Sequence, residues 1–243
     1  MSDKQIVIAG ITKNFGALPV VGGVSFDVAD GEFVAIVGPS GCGKSTLLNI
    51  IAGFERPDRG RILIDGVERF GPSPHGIMIS QQGSVFPWLT VQENLLFGLT
   101  GASHREQVEL ADRYIALVGL SGFEAAYPHE LSGGMLKRVE LARALVVKPE
   151  ILFMDEPFSA LDALMSLRMQ TELRRILDEE RHTVLLITHD VEEAIYLADR
   201  ILVLSPRPTT IQSSFEVDQP HPRKLSNPKA QDLREAVLKE LGL

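Results

Sequence analysis

The residues Gly38-Pro39-Ser40-Gly41-Cys42-Gly43-Lys44-Ser45-Thr46 are the part of this sequence best suited to chemistry. They fit the spacing G-x-x-x-x-G-K-[ST], which predicts a bound nucleoside triphosphate when a strand precedes it and a helix follows. Glycines let the backbone curl so that N–H groups converge on phosphate oxygens, and the helix N-terminus adds its positive end. Lys44 is expected to reach the β- and γ-phosphates, and the Ser45 hydroxyl to ligate Mg²⁺. A second element, Ile151-Leu152-Phe153-Met154-Asp155-Glu156, is an apolar run closed by two carboxylates. Beside a phosphate loop, an aspartate there holds Mg²⁺ through water, and Glu156 is placed to polarise a water that attacks the γ-phosphate. Alone, such a run is commonly a strand leaving the core.

Other candidates are weaker one by one. Leu131-Ser132-Gly133-Gly134-Met135 opens a helix carrying Arg138, Arg143 and Ala144, and offers a second helix N-terminus. His189, in Thr188-His189-Asp190, follows an apolar run and could sense the γ-phosphate. Gln81 ends the run Ile77–Ser80, where an amide could touch Mg²⁺ or the attacking water. Each has a bland counterpart: a loop, a locally satisfied histidine, a surface glutamine. Cys42 inside the phosphate loop reads as a small residue that fits there.

These residues need elements to position them. Phe33-Val34-Ala35-Ile36-Val37 reads as the buried strand before the phosphate loop, and Thr46 to Ala52 as the helix after it, ended by Gly53. The first thirty residues alternate short apolar runs with turns, which predicts antiparallel strands. Arg61-Ile62-Leu63-Ile64 predicts a strand closed by the Asp65-Gly66 turn. From about Val91 to Lys148 the periodicity becomes helical, and Pro149 stops it. Val184–Ile187 and Ile201–Leu204 return to buried strands. A last helix begins at Asn227-Pro228, with Leu233, Val237 and Leu241 on one face. Strands alternating with helices favour a mainly parallel sheet.

Composition narrows the class. The 243 residues are 44% hydrophobic and 23% charged, as in a globular domain. A formal net charge of −8 gives no electrostatic reason for nucleic-acid binding. One cysteine excludes an intramolecular disulfide framework and suits a reducing compartment. No apolar run approaches the roughly 20 residues that span a bilayer, and the start lacks a signal-peptide pattern. A cytoplasmic chain is expected, with any membrane role supplied by a partner.

In this order, from about Ile6 to about Leu204, the motifs resemble the ATPase subunit of an ATP-binding cassette (ABC) transporter. The resemblance implies an α/β fold: a P-loop NTPase (RecA-like) core, an N-terminal antiparallel β subdomain, and a helical subdomain inserted before the signature motif. It implies one nucleotide-binding domain over residues 1–243, with the helical subdomain at about 85–148 and a short tail at 206–243. Phe15 corresponds to the aromatic that stacks on adenine, with a place in the core as its alternative. Gly38, Ser40, Gly41, Cys42, Gly43, Lys44, Ser45 and Thr46 become Walker A contacts to ATP, and Gln81 the Q-loop glutamine. Leu131 to Met135 become the signature motif, with Met135 in place of the commoner glutamine, and its Ser132, Gly133 and Gly134 join Asp162 among the ATP contacts. Asp155 is Walker B, and Asp162 closes the D-loop Ser159-Ala160-Leu161-Asp162. Glu156, His189, Gln81 and Lys44 are the implied catalytic set, and Ser45, Gln81 and Asp155 the implied Mg²⁺ set.

The resemblance also implies partners. Two copies stack head to tail, each ATP lying between Walker A of one and Ser132-Gly133-Gly134 of the other. Pro87-Trp88-Leu89-Thr90-Val91-Gln92-Glu93-Asn94 and Leu204-Ser205-Pro206-Arg207-Pro208 look like the nitrate/sulfonate/taurine import branch. That branch implies a permease touching the chain near Gln81–Asn94, a substrate-binding protein, and a peripheral place on the cytoplasmic face of a bacterial plasma membrane. Trp88 is expected at the permease contact, with packing inside the helical subdomain as its alternative. Thr209-Thr210 departs from the glycine and basic residue common there, so the strand that follows the core is expected to differ. Ile211–Leu243 is too short for an appended regulatory domain. The cargo is not written in this subunit. The competing reading is a soluble cassette ATPase acting on ribosomes or DNA; a single uninterrupted cassette without sustained heptads argues against it. An exporter half is another alternative, although exporters usually fuse this domain to membrane helices, and a non-enzymatic nucleotide binder fits least because Glu156 and His189 are intact.

Overall fold

A computed structural model describes residues 4–81, 83–179 and 181–243. It comprises two compact units, one formed by residues 4–76, 150–155 and 181–243, the other by 77–149 and 156–179.

The first unit holds two sheets. β1 (Lys4–Phe15) and β2 (Leu18–Ala29) form an antiparallel hairpin. β3 (Phe33–Val37) leads into α1 (Lys44–Ala52), and β4 (Arg59–Ile64) pairs antiparallel with β1 and with the short β5 (Val67–Glu68). Asp65 and Gly66, with φ of 51° and 75°, make the left-handed turn between β4 and β5 that their sequence announced. β6 (Gly76–Ile79) begins where the first unit ends.

The second unit is mostly helical. α2 (Val91–Leu96) and α3 (His104–Leu117) start with capping boxes, Thr90 with Glu93 and Ser103 with Glu106. A 3₁₀ turn at Pro128–Glu130 precedes α4 (Gly133–Val146), whose N-cap is Ser132. α2, α3 and α4 pack on one another around Val91, Leu95, Ala111, Ile115, Val139 and Ala142. The helical segment expected at 85–148 lies in this unit, which also takes in α5 (Ala163–Glu179).

Back in the first unit, β7 (Ile151–Asp155), β8 (Thr183–Ile187) and β9 (Arg200–Leu204) join β3, and β10 (Ile211–Glu216) closes the edge. The order is β10-β9-β3-β8-β7; β3 runs parallel to β8 and β9, β7 parallel to β8, and only β10 is antiparallel. Every residue of β3, β7 and β8 is buried, the pattern of parallel strands covered on both faces. α1 packs on β7 and β8, α6 (Val191–Leu197) on β3, and α7 (Pro228–Glu240) on α6 and β10. Asn227 caps α7 and Val237 is fully buried, as its sequence spacing predicts. Among the described residues no helix is long and apolar enough to cross a membrane.

Candidate nucleotide site

Strand register brings three sequence candidates to one edge of the parallel sheet. Ile187 of β8 stands opposite Ile36 of β3 and opposite Asp155 of β7. The phosphate loop therefore begins two residues beyond that level, His189 lies two beyond it, and Asp155 lies at it. The carboxyl ends of parallel strands are where open α/β sheets hold ligands.

The loop is built to meet an anion. Gly41 and Gly43 adopt φ of 71° and 113°, which turn the chain from β3 into α1. Gly43 is the N-cap of α1, without a side-chain cap and without an acidic residue in the first turn. The N–H groups of that turn have no intrahelical acceptors, so they and the positive helix end face outward for a ligand. Lys44 Nζ donates to the carbonyls of Gly38 (2.8 Å) and Pro39 (3.1 Å), arching across the loop. Cys42 is buried, with its N–H donating to Pro39 O at 3.3 Å, and Ser40 and Gly41 are exposed. Ser45 and Thr46 are half-buried.

Asp155 is buried at the end of β7, while His189 is exposed. Phe15 sits at the β1–β2 hairpin with its ring half-exposed and Lys13 Nζ 5.2 Å from the ring centroid. The same hairpin supports the loop: a Cβ on Gly43 would stand 2.7 Å from Val20 Cγ1. The donors suit ATP with Mg²⁺: unsatisfied helix N–H groups for phosphate, then one hydroxyl and one buried carboxylate for a cation that keeps most of its ligands as water and phosphate. Among the described residues no group of three or more His, Cys, Asp or Glu forms a cage that would hold a metal unaided.

The second unit gathers other candidates. Gln81 Nε2 donates to Glu156 Oε2 at 3.2 Å. Glu156 takes φ of 47°, rare for a residue with a side chain, and its carbonyl accepts from Ser159 Oγ at 3.0 Å. Ser132 caps α4 through Met135 N–H at 3.3 Å, and Gly133 has open space where a Cβ would be. Gly134 lies against Ala160 and Leu161, so α4 starts on the segment that ends in Asp162. Asp162 Oδ1 accepts from Met165 N–H at 3.0 Å, an N-cap role for α5 that the sequence reading did not give it. Burial pushes the Arg138 guanidinium below its usual value, and Asp162 opposes that shift.

Sequence reasoning missed several supports. Asn94 is fully buried; its amide accepts from Phe86 N–H and donates to the carbonyls of Phe86, Leu89 and Thr90 at 2.9–3.2 Å. It thereby holds the loop that presents Trp88, which is 69% exposed rather than packed inside. Thr209, noted only as a departure, is buried and donates through Oγ1 to the Cys42 carbonyl; β10 still forms, from Ile211. Lys137 and Glu140, an oppositely charged i,i+3 pair on α4 that drew no notice in the sequence, are both buried.

The sequence profile of the ABC transporter family matches residues 21–159. An ATP-binding protein of Brucella abortus biovar 1 is 47% identical over 221 residues, covering 90% of this chain and 85% of the relative. The aliphatic sulfonates import ATP-binding protein SsuB of Bacillus cereus is 41% identical over 229 residues, covering 94% and 91%. The dimeric structure of MJ0796, a bacterial ABC transporter cassette, superposes with a TM-score of 0.79 at 30% identity, covering 88% of this chain and 99% of that one. A match over most of the chain, with a phosphate loop at the same strand edge as Asp155 and His189, makes this chain a member of the ABC transporter family, as an ATP-binding cassette.

Proposed function

We propose that the chain hydrolyses ATP with Mg²⁺ as one half of a head-to-tail dimer of identical cassettes, and so drives import through a separate permease. The observation that carries this reading is the uncapped, acid-free start of α1 at the strand edge shared with Asp155 and His189. Lys44, now held by two loop carbonyls, exchanges them for the β- and γ-phosphates. Loop N–H groups and Thr46 orient the phosphate chain, and Phe15 stacks on the base. Ser45 and Asp155, with Gln81, hold Mg²⁺, which neutralises charge on the phosphates when bound. Glu156, steadied by the Gln81 amide, polarises the attacking water, and His189 binds the γ-phosphate. Ser132, Gly133 and Gly134 of the second copy close over the nucleotide. Loss of the γ-phosphate removes that contact and lets the dimer open.

The whole chain then acts as one nucleotide-binding domain, with a helical subdomain and a short tail from residue 206. The dimeric MJ0796 cassette, also seen in a post-hydrolysis state with ADP and Pi, supports dimerisation and hydrolysis. The SsuB relative supports import of a small anion such as a sulfonate. Such a system includes a substrate-binding protein, and its cassettes sit on the cytoplasmic face of the membrane, beneath permeases that contact the segment from Gln81 to Asn94.

Glu156→Gln tests the mechanism: ATP should still bind and drive dimerisation, seen by light scattering, while hydrolysis falls by about 10²–10⁴-fold. Full hydrolysis in that variant defeats the assignment. Purification of the tagged chain from native membranes in detergent tests the coupling. A multi-helix permease in the eluate supports import; a chain recovered free of any membrane protein points to a soluble ATPase.

A further inference from the structure

The helix that opens with Ser132-Gly133-Gly134 carries two charged side chains into the protein interior. Lys137 is 6% exposed and Glu140 4%, and their Nζ and Oε2 lie 3.0 Å apart. Desolvating such a pair is expensive, and a well-packed apolar pair often serves stability as well or better. What these two hold indicates a different use. Lys137 Nζ donates to Ser80 O at 2.7 Å, one residue before Gln81. Glu140 Oε1 accepts from Ser84 N–H, and one turn further along α4 Arg143 Nη1 donates to Ser84 O. The chain is thus gripped on both sides of Gln81.

The grip is close. Gly83 has φ of 86°, and a Cβ there would stand 2.9 Å from Glu140 Oε1, so the backbone lies directly against the carboxylate. A cavity of about 510 Å³ borders Gln81, Gly83, Leu136, Lys137, Glu140 and Ala160. Apolar packing therefore does not fill the space beside the loop, and polar ties take its place. Arg143 reaches one step further: its guanidinium lies 4.0 Å from the centroid of Phe86, whose ring stacks with Trp88 at 5.5 Å and meets Phe97 edge-on at 4.5 Å.

We propose that Lys137, Glu140 and Arg143 are positioning residues that set the reach of Gln81 toward Glu156 and tie it to the exposed aromatic patch at Phe86, Trp88 and Phe97. The latch rests on the reading of Gln81 and Glu156 as part of the hydrolytic machinery. Through it, one rigid helix joins its own glycine-rich start, the Gln81 loop and the patch. A shift of the patch is passed to Gln81 through Arg143 and Ser84.

The test uses the purified full-length chain and MgATP. In Glu140→Gln and in Lys137→Met, kcat should fall about tenfold while KM stays within about twofold. The double variant, which leaves no stray buried charge, should fall no further than the weaker single, because both break one latch. Lys137→Arg should keep the rate, and backbone hydrogen exchange at residues 83–86 should rise in both singles. A wild-type rate with wild-type exchange overturns the latch, and so does a double variant whose losses multiply. If the singles fail to fold, the double variant alone is compared with wild type by the same two readouts. Gln81→Ala separates the latch from its premise: an undiminished rate there breaks the reading of Gln81, and exchange at 83–86 then decides the latch.

Discussion

The loop at Gly38–Thr46 leaves β3, a strand buried at every residue, and is closed by backbone turns, one lysine and a helix start. The loop at Gln81 leaves β6, where Gly76, Ile77 and Met78 are only half-buried, and is held by side chains reaching out from α4. The first is fixed by elements that cannot move without unpairing a parallel sheet. The second is fixed by polar ties, each of which can be exchanged for water or for another partner. A rigid grip suits phosphate groups whose geometry never changes, and an exchangeable one suits a residue that must respond to γ-phosphate or to a docked partner.

Four substitutions probe that contrast. Lys44→Ala should be the most damaging, lowering hydrolysis by roughly 10³-fold with a matching loss of nucleotide affinity. Steady-state kinetics with a fluorescent ATP analogue checks both, and intact affinity would remove Lys44 from the phosphate grip. Gly43→Ala should follow, since φ of 113° and a Cβ 2.7 Å from Val20 Cγ1 forbid the native turn. Its strain of about 1–3 kcal/mol should appear as an order-of-magnitude loss of ATP affinity by calorimetry. Wild-type affinity there would show that the turn tolerates a side chain.

Asn94→Ala acts on the other side of the comparison. It leaves the N–H and carbonyls around Phe86–Thr90 without their buried partner, at a cost of about 1–3 kcal/mol in urea unfolding. Nucleotide affinity should stay unchanged, and a parallel loss of affinity would erase the division drawn here. Trp88→Ala should do least to the isolated chain, with ATP hydrolysis within about twofold of wild type, because its side chain is mostly exposed. Recovery of the permease in pull-downs should drop sharply, as for an aromatic anchor at an interface. Unaltered recovery would place the permease contact elsewhere.

Local pattern made much of the fold readable. The five-residue apolar run before Gly38, the glycine after α1, the Asp65-Gly66 turn and Asn227-Pro228 before α7 all depend on neighbours within a few residues. What escaped was a set of polar contacts, some local and one across 167 residues of sequence. That Asp162 caps α5, that Thr209 donates to the loop at Cys42, and that Asn94 fastens the Trp88 loop are contacts made by common polar residues. Nothing in their sequence surroundings separates them from solvated ones.

By itself, then, the sequence determined the phosphate loop, the carboxylate-ended strand and the glycine-rich helix start, because backbone freedom and helix polarity are written in residue types and short spacings. Only the tertiary structure decided that Ile36, Ile187 and Asp155 stand level across β3, β8 and β7. It also decided that Lys137 and Glu140, spaced like any surface pair, are buried against the Gln81 loop. The physical reason is the same in both cases: strand register and burial are set by partners distant in sequence, whose positions exist only once the chain has folded.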